Sequence, residues 1–360
     1  MSKGAALLKS GVGAARYRLT GHRMPLSVVL YVTSRCNALC GYCSLPLRPR
    51  RELDTAEMIT LVDAMAAAGA VRVGISGGEP LIRDDIGVIV DRCAAHGIWT
   101  TMETNGYRYP ERADQLHNLG RLMVALDGGE AAHDRNREPG SWARAMTAIE
   151  AASERPVDLH TITTLTRDNL DDVDTVLDLA DRWGFTANFQ LLQPKPFLAP
   201  ARAAELRPPD NGVKKVLRTL LEARLAGRRV GTSEKALRYL LTWPDYADGI
   251  SRAPHEDVHC MAGQLYCAVQ PDGTVTPCGL LADGPGRNVR DVGFSAAFAQ
   301  LRDNPCRACT STSLTEYNYL YNLNAPTLVE WTKTLRPPDG PGPEGLRRGG
   351  SRRARGLGEA

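Results

Sequence analysis

Long apolar runs are absent from this chain. A membrane-spanning helix takes about 20 consecutive apolar residues, and no stretch of even about 18 occurs here. The opening, MSKGAALLKSGVGAARYRLTGHR, has one four-residue apolar patch, broken by Lys9 and Arg16. A secretory signal needs an unbroken apolar core of about 7–15 residues, so secretion is argued against and a cytoplasmic protein is expected. Excess charge is missing as well. Six Arg face three acids after Leu335, which accounts for the entire formal charge of +3 and leaves residues 1–335 neutral. A neutral body lacks the basic stripe of a nucleic-acid-binding surface, so neither a nucleic-acid nor a membrane partner is expected. Lysine is scarce, seven against 37 Arg, which reads as a coding bias. Cysteine is not scarce. The chain holds nine, and in a reducing compartment thiols favour metal or redox chemistry over disulfides.

Between residues 26 and 195, β-branched runs alternate with segments of helical period. Strands are expected at 27–33, 71–76, 98–104, 122–126, 158–163 and 185–191. Helices are expected to follow them: from Asp54, a plausible N-cap, to about Gly69, then 84–96, 111–120, 141–152 and 169–183. Six βα units with short loops imply a parallel sheet whose chemistry gathers at the C-terminal strand ends. The fold class expected is α/β: a partial (β/α)6 TIM-like barrel followed by a small α+β cysteine-rich domain. The divisions are an N-terminal segment (1–25), the barrel (26–195), a helical linker (196–255), the cysteine-rich domain (256–335) and a disordered tail (336–360). The Pro-rich stretch QPKPFLAP (193–200) ends the barrel, and helices are expected near 210–226, 233–241 and 325–335.

Cys36, Cys40 and Cys43 form CNALCGYC directly after the first strand. Three thiolates on one tight loop can hold three irons of a 4Fe–4S cluster and leave the fourth open; a zinc site is the alternative, and it would want a fourth ligand nearby. CxxxCxxC in this place, with Tyr42 before its last Cys, resembles the radical S-adenosylmethionine enzymes. The resemblance implies that the open iron binds S-adenosylmethionine, whose one-electron reductive cleavage yields a 5′-deoxyadenosyl radical that abstracts hydrogen from substrate. Further segments follow the same family at successive strand ends. Ser76-Gly77-Gly78-Glu79-Pro80 resembles its GGEP segment, where glycines and Glu79 would meet the methionine ammonium. Glu103-Thr104-Asn105-Gly106 resembles its polar segment near the ribose. Ala125-Leu126-Asp127-Gly128 resembles SLDG with Ala125 in place of Ser, and His133-Asp134-Arg135 followed by Pro139-Gly140-Ser141-Trp142 resembles HDxxR…GSF. The cofactor-binding residues implied are Tyr42, Gly77, Gly78, Glu79, Pro80, Glu103, Thr104 and Asn105.

Cys260, Cys278, Cys306 and Cys309 follow C-x17-C-x27-CxxC, with a hairpin expected around Pro271-Asp272-Gly273. This segment resembles the SPASM/twitch extension of the same family, which implies that these four ligate one auxiliary 4Fe–4S cluster, two clusters in all; structural zinc is the alternative. Cys93 reads as a core residue. Cys267 faces Cys278 if the hairpin loop has four residues, and a three-residue loop with a bulge at Gly273 moves the register by one. Cys267 is therefore a core residue, a cluster ligand, or a thiol returning hydrogen to a substrate radical.

His160, Asn188, Gln190 and Gln193 are polar where a barrel lumen could meet ligand, though backbone groups could satisfy each. The tyrosines of Tyr317-Asn318-Tyr319-Leu320-Tyr321 are expected mainly to pack. No segment of about 80 residues ahead of the barrel reads as a peptide-recognition module. The expected function is hydrogen abstraction from a small biosynthetic intermediate, most simply a dehydrogenation, with a flavodoxin or ferredoxin-type electron donor implied as partner. The alternatives are epimerisation through Cys267, maturation of a ribosomal peptide, and a non-catalytic metal-binding scaffold.

Overall fold

A computed structural model describes residues 1–193, 205–256, 258–282, 284, 286–301, 304 and 306–333. The break at 193–200 and the tail at 336–360 thus lie largely or wholly outside the described residues. The chain opens with helix α1 (Lys3–Thr20), capped by Ser2 at one end and by the left-handed Gly21 at the other. Strands β1 (Ser27–Tyr31), β2 (Arg72–Ser76), β3 (Trp99–Thr104), β4 (Arg121–Ala125), β5 (Asp158–Leu165) and β6 (Thr186–Leu191) then run parallel in sequence order. All six expected strands are present. The helices between them are α2 (Thr55–Ala67), α3 (Ile86–Ala95), α4 (Tyr109–Arg112), α5 (Glu130–Asn136), α6 (Ser141–Ser153) and α7 (Val173–Trp183). A capping box fixes the start of α2: Asp54 accepts from the Glu57 amide and Glu57 from the Asp54 amide, each at 2.9 Å. The helix expected at 111–120 is instead one turn of α4, with Pro110 near its start, running into a 3-10 turn over Ala113–Leu116.

Alternation sorts each strand into two faces. Leu30, Ile75 and Met102 enter the core under the helices. Their neighbours Tyr31 and Ser76, paired in register, and Glu103, hydrogen-bonded to Ser76, face the other way into the barrel lumen. The N-terminal strand ends form a closed floor. Arg121 donates to Asp158 at 2.7 Å, and His160 and Asn188 extend that contact across β5 and β6. The Arg72 guanidinium lies 4.8, 5.3 and 5.5 Å from the rings of Trp99, Tyr317 and Trp331, a stacking that suits a weakly hydrated cation. With the floor closed, the lumen opens at the C-terminal ends of the strands.

Helices α8 (Asp210–Leu225) and α9 (Glu234–Leu241) follow, then the short β7 (Ile250–Ser251). The hairpin of β8 (Tyr266–Val269) and β9 (Thr274–Thr276) does not form a sheet of its own. β8 pairs parallel with β1 on the side away from β2, and β10 (Arg287–Asn288) completes a nine-stranded sheet in the order β10-β9-β8-β1-β2-β3-β4-β5-β6. After the short helices α10 (Val289–Val292) and α11 (Phe294–Ala299), β11 (Ala308–Cys309) pairs with β7. Helices α12 (Thr312–Tyr321) and α13 (Ala325–Lys333) end the described chain. α12 is the tyrosine-rich segment: Tyr319 and Tyr321 are buried and Tyr317 stacks on Arg72, so the tyrosines pack.

Candidate cofactor and cluster site

The loop after β1 carries Cys36, Cys40 and Cys43, all partly exposed. Burial pushes the Cys36 thiol up to about 12 and raises the other two, so metal binding here would release protons. The loop after β2 lies directly against it: Gly78 N–H donates to the Thr33 carbonyl (2.8 Å) and Glu79 N–H to that of Arg35 (2.9 Å). A Cβ on Gly78 would stand 2.1 Å from the Arg35 carbonyl oxygen, and one on Gly77 2.5 Å from that of Thr33. Within the protein, then, these glycines let the cysteine loop and the β2 loop touch.

Glu79 has no exposed surface. Its carboxylate accepts from the Leu81 amide (2.9 Å), the Thr104 hydroxyl (2.7 Å) and the Asn105 amide (2.7 Å). Burial raises its pKa despite these bonds. Glu79 is thus a strap between the loops after β2 and β3, and Pro80 starts the 3-10 turn beyond it. Asn105 continues the strapping, donating to Asn37 of the cysteine loop at 2.8 Å. Glu103 is directed into the lumen with Ser76 as its hydrogen-bond partner at 3.0 Å, and burial raises its pKa.

One part of the site was not singled out from the sequence. Asp127, fully buried, accepts from Tyr42 Oη and Arg137 Nε, each at 2.7 Å. Arg137 also hydrogen-bonds the Tyr42 hydroxyl and reaches Cys40 Sγ at 3.5 Å. Burial works against the Arg137 cation, but Asp127 and Tyr42 outweigh it and hold its pKa above the usual range. Arg135, the arginine named in the sequence reading, is exposed. The spacing H-D-x-x-R ends on Arg137, two residues later, and that count was the available signal. Asp134 caps α6 through Gly140, Ser141 and Trp142, and His133 Nδ1 accepts from the Asp127 amide at 3.0 Å. His133 thus holds the Asp127 loop, and Asp134 the start of α6.

The second group gathers beside the barrel. Cys278, Cys306 and Cys309 are buried in one apolar cluster with Tyr266, Leu314 and Tyr321, and Cys260 packs on it. The Cys306 thiol donates to the Ala308 carbonyl at 3.2 Å, and its nearness holds the pKa of Cys260 down. Asn304 (3.5 Å) and the Tyr266 hydroxyl (3.6 Å) also reach Cys260 Sγ. Asn318 of α12 fixes this loop by accepting from Met261 N–H and Tyr266 Oη. Among the described residues, no three thiol, imidazole or carboxylate groups stand at single-ion spacing. As donors, three thiols on one loop and four in an apolar pocket suit clusters with thiolate-bound irons.

Cys267 is kept out of both groups. Ala268 pairs with Thr276 and Val269 with Val275, which is the three-residue loop with Gly273 at φ +88°. That register sets Cys278 opposite Tyr266, leaving Cys267 on the other face. There it is level with Val28, has no exposed surface and lies in the helix-packed core. A thiol in that position does not reach the lumen, so the hydrogen-donor role is set aside. Cys267→Ala is expected to cost about 1 kcal/mol as a small core deletion, read in urea titrations, while cofactor cleavage is unchanged. The polar residues weighed as lumen ligands have protein partners: His160 with Asp158, Asn188 with the Thr161 carbonyl, Gln190 with Thr312 and Gln193 with Thr310.

Residues 30–180 match the family model described as the radical SAM superfamily. With that match and relatives of 30% identity along most of its length, the chain belongs to the radical SAM superfamily, in its SPASM-type branch; its cofactors are S-adenosylmethionine and 4Fe–4S clusters. Among the relatives, the mycofactocin maturase MftC of Mycolicibacterium smegmatis is 29% identical over 80% of this chain and 75% of its own. The PqqA peptide cyclase of Methylobacterium nodulans is 30% identical over 79% and 78%. The crystal structure of Streptococcus suis SuiB bound to S-adenosylmethionine aligns with a TM-score of 0.61, at 14% identity over 80% of this chain and 69% of that one. No helix of the described residues is long and apolar enough to cross a membrane.

Proposed function

We propose that this protein is a radical S-adenosylmethionine maturase that modifies a ribosomally made peptide. The observation that carries this reading is the nature of its full-length relatives: a maturase and a PqqA peptide cyclase match along about four-fifths of the chain. They favour the peptide substrate over the small biosynthetic intermediate expected from sequence alone. They also leave the scaffold reading without support, since the thiol triad, the GGEP segment and Asn105 are all present.

In this reading Cys36, Cys40 and Cys43 hold the cluster that binds S-adenosylmethionine, and Cys260, Cys278, Cys306 and Cys309 hold the auxiliary one. When bound, the first cluster and S-adenosylmethionine supply the 5′-deoxyadenosyl radical. The protein's own share is positional. Glu79 strings the loops after β2 and β3 together, so that the backbone of Gly77–Pro80 and of Thr104–Asn105 is presented as one rigid cradle. Tyr42 is oriented by Asp127 and Arg137, and Arg137 lays a cation against the Cys40 sulfur, which favours its thiolate form.

Co-expression with short peptides encoded beside its gene tests the proposal. A change in the mass of one such peptide, abolished by Cys36→Ala, is the expected result. Cofactor cleavage stimulated only by small metabolites, with every encoded peptide unaltered, would refute it.

A further inference from the structure

The lumen is a blind well, and its floor is short of a negative charge. On β2 the inward residues from floor to mouth are Arg72, Gly74 and Ser76, since Val73 and Ile75 enter the helix-packed core. Arg72 is 7% exposed. Its Nε has no hydrogen-bond partner, and among the described residues no carboxylate pairs with its guanidinium. The rings of Trp99, Tyr317 and Trp331 enclose it. Arg121 lies on the same Trp99 ring, its Cζ 5.2 Å from the centroid. Asp158 is the carboxylate at this level, and Arg121 (2.7 Å), Lys3 (3.4 Å) and His160 (3.1 Å) already share it. Burial lowers the pKa of Lys3, and the Arg121 and Arg72 cations lower it further. Glu316 is also taken, accepting from Ser233 N–H (2.7 Å) and Trp331 Nε1 (2.9 Å). A buried cation without a counter-charge is costly to keep, and such departures from the rules of folding gather where a ligand completes them.

The space above Arg72 is kept clear. Gly74 follows it toward the mouth, in register with Val29 and Thr101, and all three are partly exposed. A Cβ on Gly74 would meet Thr101 Oγ1 at 3.5 Å, an ordinary contact, and the backbone there has no positive φ. Packing and strain therefore do not call for this glycine; what it provides is width in the well, directly over a guanidinium. From Arg72 to Ser76 the strand rises about 13 Å, at about 3.3 Å per residue. No carboxylate side chain spans that depth from the mouth, whereas about four extended residues do. Because the floor is closed, a chain enters end first. A leading amino terminus would bring a cation to three cations. A leading carboxyl terminus brings the missing anion.

We propose that the barrel floor binds the C-terminal carboxylate of the substrate peptide through Arg72 and Arg121, so that the peptide enters the lumen carboxyl end first. This site rests on the maturase reading and adds two things to it. It sets the direction of the bound peptide, and it places the modified residue within about the last four, the length that fits between floor and mouth. A guanidinium is the group suited to the task, since its planar fork matches a carboxylate and its faces stack on the surrounding rings.

The test uses the reconstituted full-length enzyme, dithionite as reductant, and a synthetic form of the encoded peptide that wild-type enzyme modifies. With wild-type enzyme, amidating the C-terminus of this peptide should raise KM about tenfold or more, as loss of a hydrogen bond between charged groups does. Two glycines added after its last residue should stop modification of the original residue. Arg72→Gln should raise KM for the free acid by a similar factor and should no longer distinguish acid from amide, a discrimination that a merely structural arginine would not carry. Gly74→Val, which fills the well without touching a charge, should weaken both forms of the peptide. Iron content should hold in both variants. Changing the Asp and Glu residues of the peptide to Asn and Gln should leave KM as it was; if that change, and not amidation, is what Arg72 senses, the anion is a side chain and end-first entry is overturned. Equal KM for acid and amide with wild-type enzyme overturns the site without recourse to any variant. Wild-type enzyme that modifies no encoded peptide removes the maturase reading itself, and the site with it.

Discussion

Replacing Cys36, Cys40 and Cys43 together with Ala is expected to reduce the iron of the anaerobically reconstituted protein from about eight to about four per chain. Formation of 5′-deoxyadenosine should fall to background. The expectation rests on separation. The three thiols share one loop at the mouth of the barrel, whereas the other four lie in an apolar cluster beside β8. No hydrogen bond among the described side chains links the two sets, so loss of one should leave the other loaded. The loop should keep its course, because Glu52, Asn105 and the Gly78 contact hold it without using a thiol. Iron counting and the nucleoside assay therefore report on chemistry rather than unfolding. Cofactor cleavage that survived the triple change would remove the basis of the proposed function.

Gly78→Ala should be nearly as damaging by a different route. Its new methyl group would meet the Arg35 carbonyl oxygen at 2.1 Å and that of Ser34 at 2.9 Å, both main-chain atoms with no rotamer to yield. The two loops must part, and the bonds from Gly78 and Glu79 to the cysteine loop are strained with them. A cost of about 3 kcal/mol is expected, at the upper end for overpacking. It should be visible as a lowered denaturation midpoint of the metal-free protein. Reconstituted Gly78→Ala should also hold little of the first cluster's iron while keeping that of the second. Gly140→Ala, a glycine with nothing within 4 Å but also a positive φ, is the control: it tests backbone strain without a clash and should leave both iron sets in place.

Much of this arrangement could be read from the sequence, because parallel strands buried on both faces announce themselves as β-branched runs and their loops carry the chemistry. All six barrel strands fall within a residue or two of expectation. The misreadings have particular causes. Pro110 and the 3-10 turn after it broke a stretch whose composition reads as helix. Helix α1 was weighed only as a signal sequence, although Ser2 and Gly21 bound it as caps. The fate of Cys267 hung on one residue of hairpin register, and a shift of one exchanges the two faces of a strand. Glu79 was expected at the cofactor from the resemblance of its segment to GGEP; only the fold shows that two of its three hydrogen bonds run to the loop after β3. Asp127 and Arg137 are ten residues apart, and nothing local says that they share Tyr42.

The pairing of β8 with β1 bears on how the chain is made. Ser27 leaves the ribosome early, yet its partner Tyr266 follows only after some 240 further residues. Until then β1 is an open edge carrying Val28, Val29 and Leu30, able to recruit a strand from another nascent chain. Parallel contacts so distant in sequence form slowly, and partly folded intermediates of large proteins aggregate through such edges. Chains truncated before Tyr266 should therefore be recovered mainly in the insoluble fraction, although they contain all six strands β1–β6.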